Sequence, residues 1–467
     1  MPVTSRPCAG PNRRDVMRFG SVGLAAAALG PLTAHKARAA DHTTNDPAVI
    51  FVWLPGGPPH QDTFDMKPDA PAEYRGAYSP VRTNVTGVQI CEHLPRLAQL
   101  ADRYSLIRSV AHKFADHGGG HKRFLTGRDP KEPTGFVNDY PMVGSMAAEV
   151  LKGKKAAVPN YIAGVDGGRQ QIDTFSFGSA YLGTASHPLT VHGDPADSKF
   201  EVKNLSVLPG TEGKLQDRLA LLNRFDTPLK GPDLAGTATG MAATRDRALS
   251  LITTDTAKTA FDLTRESPKT RARYGMHRYG QRALLARRLV EAGSTWVTMV
   301  MENATPPGEQ MKKDHTYNWD SHAVNCHIFE DTQYKLGFLD QAISALIEDL
   351  YARGLNKRVL LVVTGEFGRT PKIEYSKGSQ TGVTQPGRDH WPQAQSILVS
   401  GACNTGVVVG STTAKAEVPK DRPLTPNDLW ATVFTHLNID HAATSFLDGT
   451  GRPMPMLPDG EAIKELV

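Results

Sequence analysis

The sequence predicts an α/β protein in which a largely parallel sheet is sandwiched by helices and interrupted by an inserted excursion. Three observations lead there. Residues 48–54 and, behind Arg358, the rest of 358–363 are continuous apolar runs without the alternation of a half-solvated strand, as strands buried on both faces require. Such runs alternate along the chain with amphipathic stretches of helical length, and strands joined through helices pair in parallel. One part, about 166–242, breaks this rhythm. It is rich in Gly, Ser, Thr and Asp and reads as an inserted subdomain or a long excursion over the active edge.

In chain order, 48–54 is the first strand, stopped by Pro55-Gly56-Gly57. Residues 94–103 read as a helix, 104–110 as a second strand and 160–165 as a third. A strong helix over 276–292 leads into the β-branched run 294–300. Residues 329–353 form a long amphipathic helix with apolar Leu336, Leu339, Ile343, Leu346, Ile347 and Leu350, ended by Gly354 in the usual C-terminal position. Residues 358–363 and 395–400 add strands. Thr425 caps a last helix over 426–437 with Pro426 at its first position.

Residues 1–39 read as an address rather than as structure. Arg13-Arg14, the mild apolar stretch 19–34 and Ala37-Arg38-Ala39 follow the layout of a twin-arginine export leader. The expected location is periplasmic or extracellular, with the folded domain at 40–467. The leader holds six of the 53 Lys and Arg residues and one of the 48 Asp and Glu residues, so the remainder is balanced in charge. Nucleic-acid binding therefore loses its electrostatic support. Cys91, Cys326 and Cys403 remain, with no CxxC pair, which gives neither a disulfide framework nor a thiolate zinc knuckle. No later stretch has the apolar length of a membrane span.

Ligands of open α/β sheets bind beyond the carboxyl ends of the strands. There the sequence concentrates acids and histidines. His60, Asp62 and Asp65 follow the first strand; His112, Asp116, His117 and His121, with Gly118 to Gly120 between, follow the second. Trp319-Asp320-Ser321-His322 comes after 294–300, Glu366 and Arg369 after 358–363, and Arg388 and His390 further on. Singly, each has an ordinary reading: a capping histidine, a flexible glycine turn, a helix N-cap, an ion pair of Glu366 with Arg369 or Arg388. Together they point to a cation, because a hard or borderline divalent ion takes carboxylate oxygens and neutral imidazoles. The expected ligands are Asp320, His322, Glu366 and His390, with Asp62 reaching in from the first loop, and the expected ion is Zn, Ca, Mg or Mn. Arg369 and Arg388 would grip an oxyanion. His117 or His121 would serve as acid, base or nucleophile.

At these loops the sequence resembles the "domain of unknown function 1501" family, which is grouped with the sulfatase and alkaline-phosphatase superfamily. The matching pieces include Gly56-Gly57 with Asp62 to Asp65, the 117–127 stretch, Arg271 to Gly275, Leu285 to Gly293, Trp319 to His322, Glu366 to Pro371, Gly387 to Pro392 and Gly451 to Pro453. They cover nearly the whole chain after the leader, in order. The resemblance implies an alkaline-phosphatase-like or sulfatase-like core with a metal site at the strand ends. Asp320 and His322 look like that superfamily's ligands ahead of a long helix, Glu366 stands where an Asp is usual, and His390 looks like the late histidine. Leu125 to Pro130 looks like the stretch that follows the sulfatase nucleophile, yet the place of that nucleophile falls on His117. The resemblance therefore implies a metal-dependent hydrolase of phosphate or sulfate esters, on a small-molecule or glycan substrate, without a Ser, Thr or Cys nucleophile. Its alternative is a non-catalytic metal-holding binding protein for anionic glycans on the same scaffold.

Overall fold

The computed structural model describes residues 46–467 except 136, 155, 167–175, 203–213, 215–216, 218–250 and 252–253. The expected leader and much of the 166–242 excursion lie outside the described residues. Eight strands form the central sheet: β1 Ala48–Trp53, β2 Tyr104–Val110, β3 Tyr161–Val165, β4 Leu189–His192, β5 Trp296–Val300, β6 Val359–Thr364, β7 Gln395–Gly401 and β8 Val408–Val409. Their spatial order is β8-β2-β7-β6-β1-β5-β3-β4. Every neighbouring pair is parallel except those made by β7, which runs against both β2 and β6.

The sheet is mixed and mostly parallel, as the apolar runs require. All six residues of β1 and of β6 are buried, because both faces of the sheet are covered. Alternate side chains point to opposite faces. Ile50 and Val52 join one core, filled by Leu284 and Leu285 of helix Arg278–Glu291 and by Leu336, Ile343 and Leu346 of helix Ile328–Ala352. Val49, Phe51 and Trp53 join the other, filled from helices His117–Thr126, Val143–Val150 and Pro426–His436 by Phe124, Met146 and Trp430. In chain order these five helices are α1 His117–Thr126, α2 Val143–Val150, α3 Arg278–Glu291, α4 Ile328–Ala352 and α5 Pro426–His436. Each fully buried Leu, Ile or Phe contributes roughly 1.5–3 kcal/mol relative to exposure, so the two cores carry the stability.

Local signals explain the helix ends. Gly354 sits at φ +69° and closes α4. Thr425 and Asp428 make a reciprocal capping box at the start of α5. The stretch 94–103 departs from expectation. It holds a four-residue helix, Pro95–Ala98, and a separate 3-10 turn, Ala101–Arg103, because the chain must turn immediately into β2. Leu189–His192, inside the 166–242 excursion, belongs to the main sheet as edge strand β4. Cys91, Cys326 and Cys403 are free thiols. Among the described residues no helix is long and apolar enough to cross a membrane.

Register places the functional loops together. Trp53 of β1 is level with Val300 of β5 and Thr364 of β6, so three strands end on one line. Val110, the last residue of β2, faces Gln395, the first of β7. Because β7 is reversed, the residues before it arrive at the same edge as the residues after the parallel strands. His390 reaches the site for that reason, although it precedes its strand.

Candidate metal centre

Five segments meet at this edge: those after β1, β2, β5 and β6, and the one before β7. The β1 loop turns at Gly56, whose φ is +105°. A Cβ there would lie 2.5 Å from the backbone nitrogen of Asp320, so only glycine lets the β1 loop lie against the Asp320 loop. The Gly56 N–H donates to both oxygens of Glu366, at 2.8 and 3.1 Å. Gly118 is constrained in the same way at the start of α1: an added Cβ would meet the carbonyl oxygen of Gly135 at 2.4 Å. The glycines between His117 and His121, which read as a flexible turn, are the first turn of a buried helix capped by Asp116.

Asp320 is the centre of the cluster. Its Oδ1 lies 3.0 Å from His322 Nε2, 3.1 Å from His390 Nε2, 3.3 Å from His117 Nε2 and 2.8 Å from Arg369 Nη2. The three imidazoles share one arrangement. His117 gives its Nδ1–H to Glu366 Oε1 at 2.8 Å, His322 gives its own to Asp389 Oδ1, and His390 gives its own to the carbonyl of Ala115 at 2.6 Å. Carboxylates and carbonyls only accept, so each Nδ1 carries a hydrogen and each Nε2 is the ring nitrogen turned toward Asp320. Three Nε2 atoms therefore converge on one carboxylate oxygen, donating N–H to it or, once deprotonated, offering lone pairs to a cation. His322 Nε2 and His390 Nε2 are themselves 2.8 Å apart.

Glu366 makes a second, deeper pocket. It is fully buried, with His117 Nδ1 at 2.8 Å and His121 Nε2 at 3.3 Å from its Oε1. His121 rests edge-on against Trp53 of β1, with ring centroids 5.4 Å apart. The electrostatics follow from these contacts. Burial opposes charge on Asp320, but hydrogen bonds from His117, His322 and His390 and the Arg369 guanidinium hold its carboxyl well below the usual range. Burial likewise opposes charge on Glu366, and the His121 and His117 rings outweigh it. Burial pulls His117 down, while Asp320 and Glu366 more than reverse this and hold it up at about 9. Burial lowers His390 despite its hydrogen bond to Asp320.

The donor set fits a small divalent ion. Ligands about 2.0–2.1 Å from a tetrahedral ion stand about 3.3–3.4 Å from one another. The distances of 3.0, 3.1 and 3.3 Å around Asp320 Oδ1 come within a few tenths of an ångström of that spacing. Two trios bring ligand atoms within 4.8 Å of one another: His117, Asp320 and His390, and His117, His121 and Glu366. Each of the three Nε2 donors has its other ring nitrogen fixed by an acceptor, as metal-binding histidines do.

A family described as "protein of unknown function (DUF1501)" matches residues 46–467. The chain belongs to the DUF1501 family. No curated protein matches it by sequence. Among solved structures it is similar to a phosphonate monoester hydrolase from Silicibacter pomeroyi, with 12% identity over 90% of this chain and 76% of that one and a TM-score of 0.36. A TAB5 alkaline phosphatase variant with Mg bound in its M3 site gives 11% identity, 85% and 99% coverage and a TM-score of 0.36. Ps i-CgsB in complex with a neocarrahexaose gives 12% identity, 85% and 72% coverage and a TM-score of 0.37. The chemistry rests on this DUF1501 chain's own side chains.

Of the residues singled out in the sequence, Asp320, His322, Glu366, His390, His117, His121 and Arg369 come together. Asp62 and Arg388 do not join them; they pair with each other. Arg388 donates to Asp62 through Nε at 2.8 Å and Nη2 at 3.1 Å, and its remaining hydrogens go to the carbonyls of Thr370, Pro371 and Tyr74. Both side chains are buried. The expectation that Asp62 reaches the cation and Arg388 an oxyanion is corrected on that ground: all five Arg388 N–H groups are used, and both Asp62 oxygens are buried against that guanidinium. Arg369 is fully buried and bonded to the carbonyls of Gly56, Gly57, Trp319 and Arg388 and to Asp320, so it positions Asp320 rather than reaching outward.

The sequence alone assigns no role to two further contributors. Asp389 orients His322; its only signal is its place beside His390. His112 gives Nε2–H to the backbone carbonyl of Glu366 at 2.6 Å, and burial holds its pKa down to about 4, so it stays neutral while fixing that loop.

Proposed function

We propose that this DUF1501 protein is an exported, divalent-metal-dependent hydrolase of phosphate or sulfate esters. The observation that carries the reading is the convergence of the Nε2 atoms of His117, His322 and His390 on Asp320 Oδ1. Imidazole nitrogens and a carboxylate oxygen at this spacing suit a divalent cation that displaces the Nε2 protons. When bound, a divalent ion supplies Lewis acidity toward an ester oxygen and toward water. Asp320, His322 and His390 hold it. Asp389 and the Ala115 carbonyl fix the two histidines, and Arg369 fixes Asp320. His117 faces the same space from α1 and carries the proton step at Nε2, while Glu366 keeps the hydrogen on Nδ1. With Arg369 and Arg388 both buried among the loops, the charge of the ester falls to the cation and to His117. The twin-arginine layout of residues 1–39 supports export.

The test is turnover of an aryl phosphate and an aryl sulfate by the purified chain with Zn, Mn, Mg or Ca. The expected result is metal-dependent hydrolysis that is lost in His390→Ala. A metal-loaded protein inert on a broad ester panel would count against the reading.

A second reading has an observation of its own. Among the described residues, the groups touching the Asp320 and Glu366 carboxylates are imidazoles, the Arg369 guanidinium, the Asn325 amide and the Gly56 N–H, with no hydroxyl or thiol. That suits a metal-holding protein that retains an anionic glycan without cleaving it. Clear ester hydrolysis together with no glycan retention in calorimetry would remove it.

A further inference from the structure

A separate cleft of about 230 Å³ lies beyond the metal centre, lined by Lys131, Asp139, Tyr140, Tyr181, Asp448 and Arg452 among others. Residues 131–135 lead from it to the α1 end of the centre. Pro133 and Gly135 of that loop lie over Gly118 and Gly119, next to His117. From below, Lys122 of α1 donates to the carbonyls of Glu132 at 2.8 Å and Thr134 at 3.2 Å.

The lining combines three chemistries. Tyr140 and Tyr181 supply aromatic surface. Lys131 lies over the Tyr140 ring at 5.5 Å, and Arg128 at 5.2 Å. Neither Lys131 nor Arg452 forms an ion pair among the described residues, so both cationic ends remain available. The acids are only half used. Asp139 accepts the Lys131 backbone N–H through Oδ2, and Asp448 closes its own turn through Oδ1, accepting from the Thr450 and Arg452 N–H groups. Among the described residues no hydrogen bond reaches their other oxygens, which leaves those as acceptors at the cleft lining.

We infer that this cleft binds one ring of an anionic saccharide, with its carboxylate or sulfate on Lys131 and Arg452, its hydroxyls on Asp139 and Asp448, and its apolar face on Tyr181. The two carboxylates decide between ligand classes. They repel a bare polyanion but accept hydrogen bonds from a polyol, while the aromatic wall packs against C–H surface. The size agrees, because pockets for drug-sized ligands run to about 300–1,000 Å³ and this one takes a single ring of a longer chain. The binding claim goes beyond the hydrolase reading. It rests on that reading only in making the sugar part of the substrate.

The experiment is isothermal titration of the full chain, after chelation and again with Zn, using a chondroitin sulfate tetrasaccharide, a neutral tetrasaccharide and inorganic sulfate. The sulfated sugar is expected to bind in both states, with the neutral sugar and sulfate at least about tenfold weaker. Lys131→Ala with Arg452→Ala, and separately Tyr181→Ala, should each weaken binding about tenfold. Tyr181→Phe should keep it and serve as the folded control, with an unchanged Tm for all variants. Equal binding of the neutral sugar or of free sulfate, no binding of the sulfated sugar, or wild-type affinity in folded Tyr181→Ala overturns the inference. Binding lost in these variants of a chain that hydrolyses no ester would leave it standing and remove only the hydrolase reading.

Discussion

Asp389 Oδ1 accepts the Nδ1–H of His322 at 2.5 Å, and its chain neighbour His390 stands 2.8 Å from the other nitrogen of the same ring. One dipeptide thus supplies a ligand and the group that aims a second ligand. Partners of this outer kind typically change metal affinity by roughly 10- to 100-fold. Asp389→Asn is expected to raise the dissociation constant for Zn by that amount in a chelator competition, with Tm in chelator unchanged. Unaltered affinity would leave Asp389 as a surface acid without a role.

The Asp62–Arg388 pair predicts the opposite pattern. Breaking a buried pair strands a charge and costs about 3–5 kcal/mol. Arg388→Met should lower stability by about that much in urea unfolding, while the folded protein binds metal as tightly as the parent. A loss of metal affinity without loss of stability would return Arg388 to the site.

Gly118 tests the contact between α1 and the loop above it. The Cβ of Gly118→Ala meets backbone atoms of Gly135, which cannot move as a side-chain tip can. Overpacking of this kind costs roughly 1–3 kcal/mol. The variant should melt several degrees lower and lose turnover through a displaced His117. A Tm equal to the parent's would show that the loop yields freely.

Acid should act through His60. It is buried, with Nε2–H donating to the Ala416 carbonyl at 2.9 Å, and burial lowers its pKa to about 4. The folded state holds the neutral ring, whereas the unfolded chain takes up a proton near pH 6.5. The stability from the neutral ring is therefore complete above about pH 6.5 and is lost as pH falls toward 4. The loss reaches about 3 kcal/mol, at about 1.4 kcal/mol per unit. Urea midpoints of the parent should fall over that window more steeply than those of His60→Gln. Parallel curves would contradict this.

Much of the fold was legible because burial on both faces leaves a plain mark. Residues 48–54, 104–110, 294–300, 358–363 and 395–400 overlay β1, β2, β5, β6 and β7 within two residues at each end. The long helix read over 329–353 is α4, Ile328–Ala352. What escaped depended on partners distant in sequence. The reversal of β7 leaves no trace in an apolar run. Leu189–His192 is too short to stand out from its polar surroundings, and α1 begins with three glycines that packing alone explains. Within the site, the kinds of residue were visible but the pairing was not. A buried carboxylate that meets a guanidinium, Asp62, reads in sequence like one that meets imidazoles, Asp320.

The most direct measurement is elemental analysis of the full chain and of Asp320→Ala, each purified, exposed to Zn and desalted. Nε2 atoms converging on a carboxylate suit a cation that displaces their protons, so the parent should retain at least one equivalent, and Asp320→Ala, with its Tm in chelator retained, should hold less than a tenth as much. A folded parent that keeps no divalent ion after saturating exposure would contradict the account at its centre.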